Sequence, residues 1–249
     1  MRVGLISDIH GNLLALDAVL AELEQEELDG MICLGDVAVG PQPRETLARV
    51  RDLGCPIVMG NWDAWFCNPR PPAEGDDEVA VKLAEIATFW ADELTDEDRT
   101  FLHNFTYPKL ELPLGELDRA LCFHGSPTDY DAWIYATTPD DELGELLGDE
   151  RAIVMIGGHT HVQMLRSFDR CLLVNPGSVG LPFSDWWPKR VRIAPWAEYA
   201  VLSYDEGRLA VDFHRTPFDV EALLEISLES GMPHARWWNA SWRTESTVS

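Results

Sequence analysis

Five short stretches of this chain set side chains able to hold a metal ion beside a glycine. They are Asp8-Ile9-His10-Gly11-Asn12, Gly35-Asp36, Gly60-Asn61-Trp62-Asp63, His124-Gly125 and Gly158-His159-Thr160-His161. Asp8, His10, Asp36, Asn61, His124, His159 and His161 together form a mixed oxygen and nitrogen set without sulfur. Imidazole alone selects no metal, since Zn, Fe, Mn, Ni and Cu all accept it. Seven groups exceed the four that a tetrahedral ion uses. They suit two ions sharing one carboxylate, and Asp36 is the natural bridge because Asp8 and His10 already form a pair. Two ions about 3.5–4 Å apart can clamp a phosphoryl group and lower the pKa of the water between them. Taken singly, each residue has a plainer reading: Asp8 and Asp36 as caps or turn residues, Asn61 as a left-handed turn, the histidines as surface or core groups.

What favours the metal reading is the set of elements that must carry these residues. Residues 2–7 form an apolar run that reads as a strand. Leu13, Leu16, Val19, Leu20 and Leu23 then mark one face of a helix that starts at Gly11-Asn12. Met31-Ile32-Cys33-Leu34 and Pro56-Ile57-Val58-Met59 read as two further strands, with a helix over 45–52 after a loop broken by Pro41 and Pro43. Arg119 to Phe123 and the apolar run Ala152 to Ile156 read as strands ending at His124 and at Gly157-Gly158. All seven polar groups therefore fall at strand ends, where open α/β sheets bind their ligands.

The intervening chain is less informative. Asn68-Pro69-Arg70-Pro71-Pro72 reads as a rigid loop, followed by helices over 78–91 and from Thr95 through His103, the whole taken as a helical insertion packed near the site. His103 is expected at the surface. Thr138-Pro139-Asp140-Asp141 reads as a helix start with Pro139 at the first helical position. Residues 162–168 with 171–174, and 199–204 with 209–214, read as hairpins, and 219–228 as a helix. Trp237, Trp238 and Trp242 in the tail are read as packing contacts or as contacts of a homo-oligomer.

At 249 residues the chain can bury one large core or two small ones. Its 19 basic and 43 acidic residues give a net charge of −24, which opposes long nucleic acids and anionic membranes. A small phosphorylated substrate is still compatible if metal ions supply local positive charge. No apolar run reaches the roughly 20 residues of a membrane span. The N-terminus enters a strand without a signal-peptide pattern, and the five cysteines show no Cys-x-x-Cys spacing, so a cytoplasmic protein with free thiols is expected.

In combination, and with Asn175-Pro176-Gly177-Ser178 added, these motifs resemble the calcineurin-like metallophosphoesterase superfamily over about residues 1–215. The resemblance is especially to its bacterial diadenosine-tetraphosphatase-related and small phosphodiesterase group. It implies an α/β fold, a four-layer α/β/β/α sandwich of two mixed β-sheets flanked by helices. That fold would fill residues 1–249 as a single domain, with the helical insertion at about 64–106 and a C-terminal helix and tail at about 217–249. It implies that Asp8, His10, Asp36 and His161 hold one ion and Asp36, Asn61, His124 and His159 a second, the ions being Mn, Fe, Zn, Ni or Co. The implied activity is dinuclear, metal-dependent hydrolysis of a phosphodiester, phosphomonoester or phosphoanhydride by a metal-bridging hydroxide, with Asn61 also donating to a phosphate oxygen. One departure matters. Where members of the superfamily often carry a histidine that assists the leaving group, this chain has Trp62. The alternative is therefore a metal-binding scaffold or regulatory protein of the same fold with little turnover.

Overall fold

Along the first strand, β1 (Arg2–Ile6), Val3 and Leu5 enter one buried cluster and Ile6 enters another. A strand sends successive side chains to opposite faces, so a strand buried on both must be covered on both. The computed structural model describes residues 1–249 apart from 71–74, 76, 116–117, 186–190 and 243–249.

In chain order, α1 (Leu13–Leu23), β2 (Gly30–Cys33), α2 (Pro43–Leu53), α3 (Asn61–Cys67), α4 (Glu78–Glu93) and α5 (Asp96–His103) follow β1. The second half holds β3 (Lys109–Leu114), β4 (Asp118–Phe123), α6 (Asp140–Leu147), β5 (Val154–Ile156), β6 (Met164–Phe168) and β7 (Cys171–Asn175). The chain closes with β8 (Phe183–Asp185), β9 (Arg192–Ile193), β10 (Trp196–Asp205), β11 (Arg208–Pro217), α7 (Val220–Glu229) and α8 (Ala235–Asn239).

One sheet has the order β11-β10-β1-β2, with β1 parallel to β2 and antiparallel to β10. The other has the order β3-β4-β5-β7-β6, parallel through β4, β5 and β7. Leu5, Ile32, Ala200 and Leu202 of the first sheet pack with Cys122, Val154, Ile156 and Val174 of the second. Behind the first sheet, Tyr199 and Val201 join the apolar faces of α1, α2, α4 and α5. Behind the second, Leu121 and Met155 meet Leu143 and Leu147 of α6. The result is the expected four-layer α/β/β/α sandwich.

Several expectations need correction. Residues 56–59 do not form a full strand. Ile57 bridges Cys33 and Val58 bridges Thr106, one pair on each side, because Pro56 and Gly60 leave too few residues for a ladder. Pro43 does not break a loop but opens α2, where its missing N–H costs nothing. Pro139 is the N-cap of α6 and not its first helical residue. The helix α3 was not anticipated, and it places Asn61 and Trp62 in a first turn. The rigid loop expected at 68–72 lies partly outside the described residues. In the tail, Trp238 and Trp242 are buried in the core behind the first sheet.

Candidate metal centre

The parallel strands all run toward one edge of the sandwich, and the polar residues sit where they stop. Asp8 and His10 lie between β1 and α1, Asp36 follows β2, Asn61 opens α3, His124 follows β4, and His159 and His161 follow β5. Asp8, His10, Asp36, His159 and His161 all have positive φ, between 51° and 66°. They are five of the eight non-glycine residues with that backbone among the described residues. The left-handed region costs an L-residue about 1–2 kcal/mol, so its concentration here marks a shape that the surroundings enforce.

Part of that enforcement is close packing around the loop that carries Asp8 and His10. A Cβ added at Gly40 would stand 1.8 Å from the His10 carbonyl oxygen, and one at Gly180 would stand 1.8 Å from that of Ile9. The loop is held between two glycine backbones. Polar side chains complete the frame. Ser178 Oγ donates to Asp8 O at 2.6 Å, and Asn175 Nδ2 donates to Gly158 O at 2.7 Å.

Asp63, to which the sequence assigns no role of its own, ties two ligand-bearing segments together. Its carboxylate accepts from the backbone N–H groups of Asp36 (2.7 Å), Val37 (2.9 Å) and Gly60 (3.1 Å). Burial, then the charge of Asp36, push its pKa up to about 7, against the pull of the Val37 and Gly60 donors. Its position at the third residue of α3, after a glycine N-cap, was the available signal.

The side chains converge as two buried triads, Asp8-His10-His161 and Asp36-His124-His159, each with ligand atoms within 4.8 Å of one another. Asp36 Oδ2 lies 3.8 Å from His10 Nε2 and 3.4 Å from His124 Nε2, so its carboxylate stands between the triads. Asp36 Oδ1 accepts from the Trp62 backbone N–H at 2.8 Å. Asn61 Oδ1 lies 3.2 Å from His124 Nε2. All seven expected residues are thus brought to one place. Of the other three histidines, His103 is exposed, His214 stacks on Tyr199 and His234 pairs with Glu85.

The donor set fits divalent cations. Leu34 O accepts from His124 Nδ1 at 2.7 Å and Leu181 O from His161 Nδ1 at 2.9 Å, which leaves each Nε2 facing the centre. A carbonyl anchoring the far nitrogen is the usual support of a metal-binding histidine. Asp8 Oδ1 and His159 Nε2 are buried without a hydrogen-bond partner, a costly state for a polar atom unless an ion takes it up. Burial, then His161, lowers the pKa of His10 to about 4, and burial, then His124, lowers that of His159 to about 4. Both rings are therefore neutral at pH 7 and carry a lone pair. For His124 burial works against the charge, but Asp36 and then Asp8 outweigh it and push its pKa up to about 10. A cation between His124 and Asp36 would replace that proton.

A cavity of about 330 Å³ opens on this centre. Its floor includes His10, Asp36, Asn61, His159 and His161, and its walls include Trp62, Trp133 and Trp238. His103 is not among its lining residues.

A family model described as the calcineurin-like phosphoesterase superfamily domain matches residues 1–206. The chain is 28% identical over 250 residues to an uncharacterized protein of Methanocaldococcus jannaschii, MJ0912, covering 93% of each. It resembles the crystal structure of a metallophosphoesterase from Sphaerobacter thermophilus, with 25% identity, a TM-score of 0.73, and coverage of 97% of this chain and 98% of that one. Hypothetical protein PH1004 from Pyrococcus horikoshii shares the fold at 22% identity and a TM-score of 0.77, over 96% of this chain and 97% of that one. Among the described residues, no helix is long and apolar enough to cross a membrane.

Proposed function

The chain belongs to the calcineurin-like phosphoesterase superfamily, and from that premise we propose that it hydrolyses a small phosphate ester with two divalent cations in its paired triads. Asp8, His10, Asp36 and His161 would hold one ion and Asp36, Asn61, His124 and His159 the other, each ion being Mn, Fe, Zn, Ni or Co. Such a pair supplies positive charge opposite the phosphate oxygens and a water of lowered pKa as the nucleophile. The observation that carries the reading is the buried carboxylate of Asp36 standing between two triads of complementary ligands.

The chain's own residues do the rest. With its Oδ1 turned toward His124, Asn61 keeps its amide N–H groups for a phosphate oxygen. The Trp62 backbone N–H holds Asp36 Oδ1, which fixes the carboxylate that both triads use. The Trp62 side chain lines the cavity, where its indole N–H can donate a hydrogen bond but not transfer a proton. Esters whose leaving group needs no proton are therefore the best substrates.

Turnover of bis-p-nitrophenyl phosphate by chelated protein, before and after Mn²⁺ or Zn²⁺ is restored, tests the reading. Activity returning with metal is the expected result. Trp62 also favours a second reading, a metal-holding scaffold without turnover. Two ions per chain together with no hydrolysis of any aryl diester, aryl monoester or phosphoanhydride would decide for it.

A further inference from the structure

The cavity over the triads joins floor and walls in one space. Its volume of about 330 Å³ is at the small end of the usual 300–1,000 Å³ range for small-molecule pockets. A phosphate on the floor leaves room for one modest organic group.

The walls come from separate parts of the chain. Trp62 projects from α3, Leu83 and Ile86 from α4, Trp133 from the segment after β4, and Trp238 from α8. The Trp133 ring lies 4.4 Å from that of His159, so an aromatic surface begins directly beside the floor. Among the described residues, no lysine or arginine lines the cavity, and the single charged lining residue outside the triads is Asp131. Among the described lining residues a second phosphate would find no counter-charge and would face the Asp131 carboxylate, whose charge Arg70 offsets only in part, inside a chain whose net charge is −24. A sugar or polyol would need several paired polar groups, and leucine and isoleucine supply none while each tryptophan supplies one N–H donor. Flat rings gain from such walls through stacked and edge contacts. Asp131 accepts hydrogen bonds, so a ring N–H donor would be favoured there and an anion disfavoured.

We infer that the substrate carries a single phosphate on a flat aromatic group without further negative charge, and that Trp62, Trp133, Trp238, Leu83 and Asp131 select it. This rests on the phosphoesterase reading above and narrows it: a dinucleoside polyphosphate does not suit the cavity.

Phosphonates resist hydrolysis, so their binding to the Mn²⁺-loaded protein, read by tryptophan fluorescence or calorimetry, tests the cavity without needing turnover. The (1-naphthyl)methylphosphonate should bind about tenfold or more tighter than methylphosphonate, from the apolar area it buries. Leu83→Trp, which fills the cavity, should reduce that advantage by weakening the naphthyl compound more than methylphosphonate. The para-aminobenzyl phosphonate should bind better than its para-carboxy analogue, and Asp131→Asn, a change in an exposed turn, should narrow the difference. Methylphosphonate binding as tightly as the naphthyl compound would overturn the proposal while leaving the phosphoesterase reading intact. Tighter binding of methylenebisphosphonate than of the naphthyl compound would overturn it too. Binding of none of these to protein holding two ions would remove the phosphate site, and this inference with it.

Discussion

His10 and His161 bring their Nε2 atoms within 3.0 Å of each other in the buried floor of the cavity. Leu181 O fixes the Nδ1 proton of His161, and His10 is neutral at pH 7, so the two facing nitrogens share one hydrogen. A divalent ion would displace that hydrogen and take both lone pairs. Metal binding should therefore stabilise the fold. Each site at a free ion concentration 100 times its Kd adds about 2.7 kcal/mol, worth roughly 5–10 °C in Tm for a chain of this size. Calorimetry before and after chelation measures it, and an unchanged Tm would contradict the metal centre.

Asp36→Asn should be more damaging than His161→Ala. The Asp36 carboxylate stands between both triads, whereas His161 belongs to one. The loss of activity should exceed the roughly 10–100-fold that removal of a supporting partner costs. Elemental analysis should show fewer than two ions per chain in Asp36→Asn. Equal activity in the two variants at equal metal content would refute the bridging role.

Trp62→His should change which leaving groups are tolerated. General acid catalysis is typically worth about 10²–10⁴-fold, and its absence costs most where the leaving alkoxide is most basic. The wild type should show a steep fall in kcat/KM with leaving-group pKa. The variant should gain on alkyl phosphates and little on nitrophenyl esters. A wild-type rate independent of leaving group, with chemistry rate-limiting, would mean that another residue supplies the proton.

Away from the site, Asp98 closes the N-terminus of α5. It accepts from the Thr95 N–H at 3.0 Å and from Thr95 Oγ1 at 2.7 Å, and pairs with Arg44 and Arg51. Burial opposes its charge, but the Thr95 hydrogen bonds and the two arginines lower its pKa below the usual value of 3.8. Its contribution is then present above that value and lost as pH falls through the lower folded pKa. Asp98→Asn should cost about 1 kcal/mol at pH 7. The difference from wild type should shrink as pH falls below 3.8 and through the lower folded pKa. A gap in denaturant midpoint that persists there would point to packing instead.

The chemistry of the site was legible because it is local. A strand that stops at a glycine and a metal-competent side chain can be read from a few residues, and Asp8, Asp36 and His159 all sit in such stretches. The frame was not legible because it is made by distant contacts. Asp63 reaches back 27 residues to the Asp36 N–H, and Ser178 reaches 170 residues to Asp8 O. Nothing near Trp238 in sequence shows that it would line the same cavity as Trp62. Residues 56–59 have the apolar character of a strand but lack the length to pair as one.

Gly40 and Gly180, pressed on the carbonyls of His10 and Ile9, bear on how variants of this protein are read. Neither has a side chain to offer a substrate or an ion. Yet a methyl group at either position would push the loop, and with it two ligands, out of register. In an alanine scan scored by activity alone these positions would look as intolerant as His10 itself. Metal affinity and thermal stability would tell them apart: a lost ligand weakens the ion's hold in a fold that still closes, whereas a displaced loop weakens both.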